Sequence, residues 1–311
     1  MKDGEHMHRF LKTYGVITTI GMIVVLIQGA LVTQTGSGEA CGAEWPLCYG
    51  QLIPENPTIQ TLIEYTHRLV SGLLGFMVII HAIWSWRSIG HMKETKFFAL
   101  LAVLFIVFQG LLGAAAVVWG QSNAVMALHF GFSLVSFTSV LLLTILAFED
   151  GKFDSINIPS LSRKMKQYIY FVLVYIYIVV YTGAYVKHSE SGSACSGWPL
   201  CNGQIIPSSS LDGRVAIQFG HRIAAGLLFL AILILFVQVL RKYRHERILV
   251  ISSAISLVFV TFQVISGAVV IFTGFTINAT IFHAFMVSLL FGAVSYTALL
   301  AYRSKTAIKR G

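Results

Sequence analysis

The chain has 311 residues, of which 56% are hydrophobic and 11% charged, with a mean hydropathy of +0.76. That composition excludes an ordinary soluble domain and points to a polytopic membrane protein. Its formal net charge of +9 comes without any basic run interleaved with aromatics in a polar segment, so nucleic acid is not an expected partner.

A bilayer-spanning helix needs about 20 apolar residues. Eight such stretches are predicted, roughly over 13–33, 62–86, 96–119, 124–147, 166–187, 218–240, 248–273 and 279–302. The first is too long for a cleavable signal and is matched by the fifth, so it is read as structural. The chain repeats itself: a displacement of 154 residues places His67 on His221 and His129 on His283. Ile63-Glu-Tyr-Thr-His-Arg68 then falls on Ile217-Gln-Phe-Gly-His-Arg222. Trp45-Pro-Leu-Cys-Tyr-Gly-Gln-Leu-Ile-Pro54 recurs as Trp198-Pro-Leu-Cys-Asn-Gly-Gln-Ile-Ile-Pro207, one residue out of that register. The predicted fold class is therefore an all-α integral membrane protein with eight transmembrane helices in two tandem, pseudo-symmetric four-helix bundles. The expected boundaries are 1–148 for the first half, 149–167 for a polar linker containing Pro159, and 168–311 for the second half.

Basic residues set the orientation. With the amino terminus in the cytoplasm, 18 of the 22 Lys and Arg residues lie inside, and only Arg68, Lys187, Arg214 and Arg222 lie outside. Both termini are then cytoplasmic, and the net charge serves topology and contact with anionic membrane lipid. All four cysteines fall in the two long external loops, as Cys41 with Cys48 and Cys195 with Cys201. Outside a cell membrane thiols oxidise, so a disulfide within each loop is expected, whether structural or redox-active. A closed zinc site is disfavoured, because neither loop supplies the further ligands it requires.

His67, His129, His221 and His283 each lie one or two turns inside the outer end of an even-numbered helix, at a common depth. Ionisable groups in lipid are costly and face a bundle interior by default. Histidine pairs facing each other across a four-helix core suit a flat macrocycle whose iron takes two axial imidazoles. The plainer alternative is a hydrogen-bonded packing role, which is the reading given to His81, whose repeat counterpart is Leu235. Arg68 and Arg222 follow a histidine on the outer side, suited to haem propionates or to snorkelling toward lipid phosphates. Gly72, Gly113, Gly226 and Gly267 allow close approach of a helix or a ring. Gln109 and Gln263 read as interhelical hydrogen bonders. Glu64 is the only acid at a helix position in the outer half of the membrane, and its counterpart is Gln218. It serves either the chemistry or a capping box, Thr61-Leu-Ile-Glu64.

The set Glu64-x-x-His67-Arg68, His129, Gln218-x-x-His221-Arg222 and His283, with a cysteine pair ahead of the second helix of each half, resembles the haem A synthase family. The match is to the bacterial form with cysteines in both halves, and it covers about residues 11–302. The resemblance implies oxidation of a ring methyl group of haem O to a formyl group by successive hydroxylations, giving haem A for terminal oxidases. It implies that His67 and His129 take the substrate haem, and that His221 and His283 hold a permanent haem b. Glu64 would be the acidic residue of the reaction, and Cys41–Cys48 a functionally relevant disulfide. A haem O synthase would supply the substrate, and an unknown electron acceptor would take the electrons. The competing class is a di-haem b-type cytochrome that passes electrons from quinol without modifying haem. A transporter of parallel repeats is disfavoured, because no charge cluster lies at the midplane.

Overall fold

A computed structural model of the chain describes residues 2–120, 122–150, 160–207 and 213–306. Two compact units divide it, Met1–Phe153 and Asp154–Gly311. The first holds α1 (Lys2–Gln34), α2 (Ile59–Ile89), α3 (Lys93–Trp119) and α4 (Asn123–Glu149); the second holds α5 (Arg163–His188), α6 (Arg214–Lys242), α7 (Arg247–Phe272) and α8 (Ile277–Arg303). All eight helices are long and apolar enough to cross a membrane. Within each unit, neighbours in sequence pack on one another and the fourth helix closes on the first, giving a four-helix bundle.

Most helices overrun the apolar stretches by up to about a turn, α1 begins eleven residues ahead of its stretch, and α7 ends one residue short. Residues 163–167, read from sequence as linker, are the start of α5. Their order, Arg-Lys-Met-Lys-Gln, consists of good helix formers. Ser162 caps them by accepting a hydrogen bond from the Met165 amide at 3.3 Å. The fourth helix of each unit is the most buried. Small side chains permit this: Ala127, Gly131, Ser133 and Ser136 in α4, and Ser288, Gly292, Ser295 and Ala298 in α8 are all buried.

The ends of each unit meet. In the first, His8 at the start of α1 pairs with Asp150 after α4 at 3.2 Å, and His91 joins the same carboxylate at 2.9 Å. In the second, β1 (Ser160–Leu161) runs parallel to β2 (Lys305–Thr306), and the Lys166 ammonium donates to the Ser304 carbonyl at 2.7 Å.

Candidate functional site

The two cysteine loops fold alike. Cys41 is bonded to Cys48 and Cys195 to Cys201, and all four sulfur-bearing residues are buried. A tight turn follows each ring, with reciprocal backbone bonds between Cys48 and Gln51 and between Cys201 and Gln204. Both central residues of each turn have positive φ: Tyr49 at 52° and Gly50 at 72°, Asn202 at 54° and Gly203 at 77°. Gly and Asn take such positions at low cost, which accounts for Gly50, Asn202 and Gly203, whereas Tyr49 holds the left-handed conformation against its own preference.

What holds the loop to the bundle differs between the units. In the first, one stripe of α2 with helical spacing, Thr61, Glu64, Tyr65 and Arg68, receives it. Thr61 Oγ1 donates to the Ala40 carbonyl at 3.3 Å, and the Tyr65 hydroxyl donates to the Leu52 carbonyl. Glu64 Oε2 accepts from the Cys41 amide at 2.8 Å. Glu64 Oε1 accepts from Arg68 through both Nε and Nη2. Arg68 also donates to the carbonyls of Leu47 at 2.7 Å and Gly42 at 3.1 Å. This ion pair is buried, with side chains 5% and 3% exposed, so each partner depends on the other for solvation.

In the second unit the same stripe reads Val215, Gln218, Phe219 and Arg222, and among the described residues the arginine is the one of these seen to bond the loop. Arg222 donates to the carbonyls of Cys195 at 2.8 Å, Gly197 at 2.9 Å and Leu200 at 2.7 Å. Its Nε and Gln218 Oε1 are buried without partners.

Arg68 and Arg222, read from sequence as suited to propionates or to lipid phosphates, turn their guanidiniums to carbonyls within the cysteine loops. Glu64 is not part of a capping box: α2 begins at Ile59, and Thr58 caps it by accepting from the Thr61 amide at 3.2 Å. The carboxylate is thus held by the loop and by Arg68.

The four histidines are placed alike. Each is partly accessible, whereas His81 is fully buried against Thr144, as a packing residue is. His67 and His129 lie close enough to interact electrostatically, and so do His221 and His283. Each ring sets its Cε1 edge against a helical glycine of the preceding helix. An ideal Cβ built at Gly29 would meet His67 Cε1 at 3.4 Å, at Gly113 His129 at 3.2 Å, at Gly183 His221 at 3.0 Å, and at Gly267 His283 at 3.2 Å. Gly113 and Gly267 stand out in the sequence for this reason. Gly72 and Gly226 instead border open space, and the matching partners on α1 and α5 are Gly29 and Gly183. That pair was discoverable, since it also recurs at the repeat displacement.

The other ring nitrogen is tethered at three of the four. His129 Nδ1 donates to the Gln109 carbonyl at 2.8 Å. His221 Nδ1 meets Thr182 Oγ1 and His283 Nδ1 meets Ser266 Oγ, each at 2.8 Å. Among the described residues, His67 Nδ1 is buried without a partner.

A family model described as cytochrome oxidase assembly protein, COX15-CtaA, matches residues 12–295. The chain belongs to this family. Among curated members, the heme A synthase of Alkalihalophilus pseudofirmus is 52% identical over 297 residues, covering 96% of this chain and 99% of that one. The heme A synthase of Halalkalibacterium halodurans is 53% identical over 301 residues, with the same coverage. That of Geobacillus kaustophilus is 48% identical over 302 residues, covering 97% of this chain and 94% of its own. The chain is accordingly a multi-pass membrane protein of the COX15-CtaA family.

Membership makes haem the group against which the residues are tested, and they fit. A carbonyl acceptor makes Nδ1 the protonated nitrogen of His129, and this leaves the Nε2 lone pair for a metal. Nε2 of His67, His129 and His221 has no hydrogen-bond partner among the described residues, and His283 Nε2 meets only the Gln263 amide, at 3.1 Å. The glycine seats let each ring pack directly against the backbone of the preceding helix.

Proposed function

We propose that this chain is a haem-modifying oxidoreductase, a haem A synthase, which oxidises a methyl group of haem O to the formyl group of haem A for terminal oxidases. Family membership and relatives of about half-identical sequence over nearly the whole chain support the activity. One observation carries the division of labour. The two units place alike histidine pairs at alike depths, but only the first adds a carboxylate.

In this reading His67 and His129 take haem O as substrate, and His221 and His283 hold haem b. Bound haem b supplies one-electron transfer between the substrate site and an electron acceptor. Glu64 is the catalytic residue. Both groups bonded to it are donors, so it stands as an acceptor-only carboxylate at a fixed place. Oε1 takes two bonds from Arg68, whereas Oε2 takes one from the Cys41 amide. Oε2 therefore keeps acceptor capacity, and it is the atom that takes a proton from a water or faces positive charge at the attacked carbon. Arg68 and Arg222 act through the loops, each anchoring the cysteine ring beside the histidine that it follows. In the same reading the protein lies in the cell membrane with both termini cytoplasmic and the cysteine loops external, which the distribution of basic residues supports.

Expression of the full chain together with a haem O synthase, followed by chromatography of extracted haems, tests the reading. Haem A must appear. Unchanged haem with a b-type spectrum would instead assign a di-haem cytochrome.

A further inference from the structure

The tethers at Nδ1 divide along the unit boundary. In the second unit each ring meets a side-chain hydroxyl at Nδ1, and His283 lies against the Gln263 carbonyl as well. Thr182 Oγ1 donates its own proton to the Val179 carbonyl at 2.7 Å, and Ser266 Oγ donates to the Gln263 carbonyl at 2.9 Å. With those protons committed, each oxygen can only accept, so Nδ1–H of His221 and of His283 must be the donors. Both rings are thereby fixed in tautomer and in rotation, with Nε2 presented as a lone pair. The first unit has neither hydroxyl. The positions that match Thr182 and Ser266 are Gln28 and Leu112. His129 has the matching backbone carbonyl, that of Gln109, without a hydroxyl, and among the described residues His67 Nδ1 has no partner.

We propose that Thr182 and Ser266 are positioning residues that make the second unit's haem permanent, and that their lack in the first unit, above all at His67, lets that unit's haem enter and leave. This rests on the assignment of haem b to His221 and His283. An imidazole whose Nδ1–H is held by an acceptor is a stronger and better-aimed ligand, and loss of such a partner typically costs roughly 10- to 100-fold in metal affinity. A resident group benefits from that grip. A substrate that must depart as product does not, and an untethered His67 can turn as its iron ligand is exchanged. Helix packing does not explain the arrangement, since both hydroxyls already have a carbonyl within their own helix.

The test uses full-length protein purified in detergent, with two readouts besides turnover: haem b retained per chain through dilution, and the low-spin electron paramagnetic resonance signal of the oxidised haem. Thr182→Val, nearly isosteric, and Ser266→Ala are each expected to lower retention roughly 10-fold or more and to shift the signal. Thr182→Ser, which keeps the hydroxyl, is expected to restore both. Conversely, Gln28→Thr should give His67 a tether and raise the haem retained by the first unit. Unchanged retention and an unchanged signal in Thr182→Val and Ser266→Ala would overturn the proposal, provided His221→Ala loses haem b. If His221→Ala also kept haem b unaltered, the ligand assignment itself would be wrong, and the proposal would fall with it.

Discussion

The seams between loop and helix in the two units make a natural controlled comparison. Both present a disulfide ring followed by the same turn, and both anchor it with an arginine to the leucine carbonyl of the same Pro-Leu-Cys segment. In the first unit, Thr61, Glu64 and Tyr65 add a polar docking face, whereas Val215, Gln218 and Phe219 fill the same stripe in the second. The second seam shows what a staple alone requires: one arginine and a disulfide. The additional groups of the first seam are therefore beyond the needs of loop attachment. They fix a buried carboxylate one helical turn before His67, where the second unit has the amide of Gln218 before His221.

The largest way to break the comparison is Glu64→Gln, which imports the second unit's residue into the first. Because Gln218 is tolerated beside Arg222, the variant is expected to fold and bind haem. Its haem A production should fall roughly 100-fold or more, with haem O accumulating, as general-base groups contribute on that scale. Chromatography of extracted haems measures this, and near-normal haem A would remove Glu64 from the chemistry.

Next in size is the unequal effect of the two disulfides. Cys41→Ala/Cys48→Ala loosens the segment that donates to Glu64 Oε2, so activity should drop roughly 10-fold, in the range seen when supporting groups are lost. Cys195→Ala/Cys201→Ala removes a ring with no carboxylate attached and should leave turnover within about 2-fold. Each ring closure is worth on the order of 2–3 kcal/mol, so neither double variant should unfold the bundle. Equal losses of activity would show that the rings act only as staples.

A smaller effect is expected at the glycine seats. Gly183→Ala sets a methyl group 3.0 Å from His221 Cε1, so the ring must shift by a few tenths of an ångström. Haem b retention should fall several-fold, within the roughly 10- to 100-fold range of displaced supporting groups or below it. Gly226→Ala, on the helix that carries His221 but facing open space, should leave retention unchanged. Parity between the two would dissociate the seat from the ligand.

The smallest is the reciprocal exchange, Gln218→Glu. It offers a partner to the buried, unpaired Arg222 Nε and should stabilise the second loop by about 1 kcal/mol or less, seen as slower proteolysis of that loop. It should add no second catalytic site. A destabilised loop would mean that the position is too dry for a new charge.

Much of this was readable without coordinates, for a physical reason. Eight apolar stretches and a repeat that preserves four histidines depend on local hydropathy and on spacing, which sequence carries directly. Glu64 stood out for the same reason, as a charge where lipid makes charge costly. The partners of Arg68 and Arg222 were not readable. Which carbonyls a loop turns inward is settled only when its ring closes. The start of α2 was misread because Thr58 and Thr61 are both competent caps, and the helix takes the earlier one. Gly72 and Gly226 were chosen over Gly29 and Gly183 because sequence gives no account of which neighbouring helix a histidine faces. Thr182 and Ser266 were missed among many intramembrane hydroxyls, yet the substitution pattern at the repeat displacement, Thr for Gln and Ser for Leu, marks them.

The joined ends of each unit bear on how such a chain arises. His8 with Asp150 brings the start of the first unit to its finish, and β1 with β2 does so for the second, by different chemistry at the same place. A fold whose beginning and end are neighbours can be copied head to tail without re-routing any helix, and it can be cut and rejoined there with its packing intact. Duplication of a gene for one such bundle would yield two self-contained bundles at once. Afterwards either copy is free to lose or gain a carboxylate while the other keeps its haem.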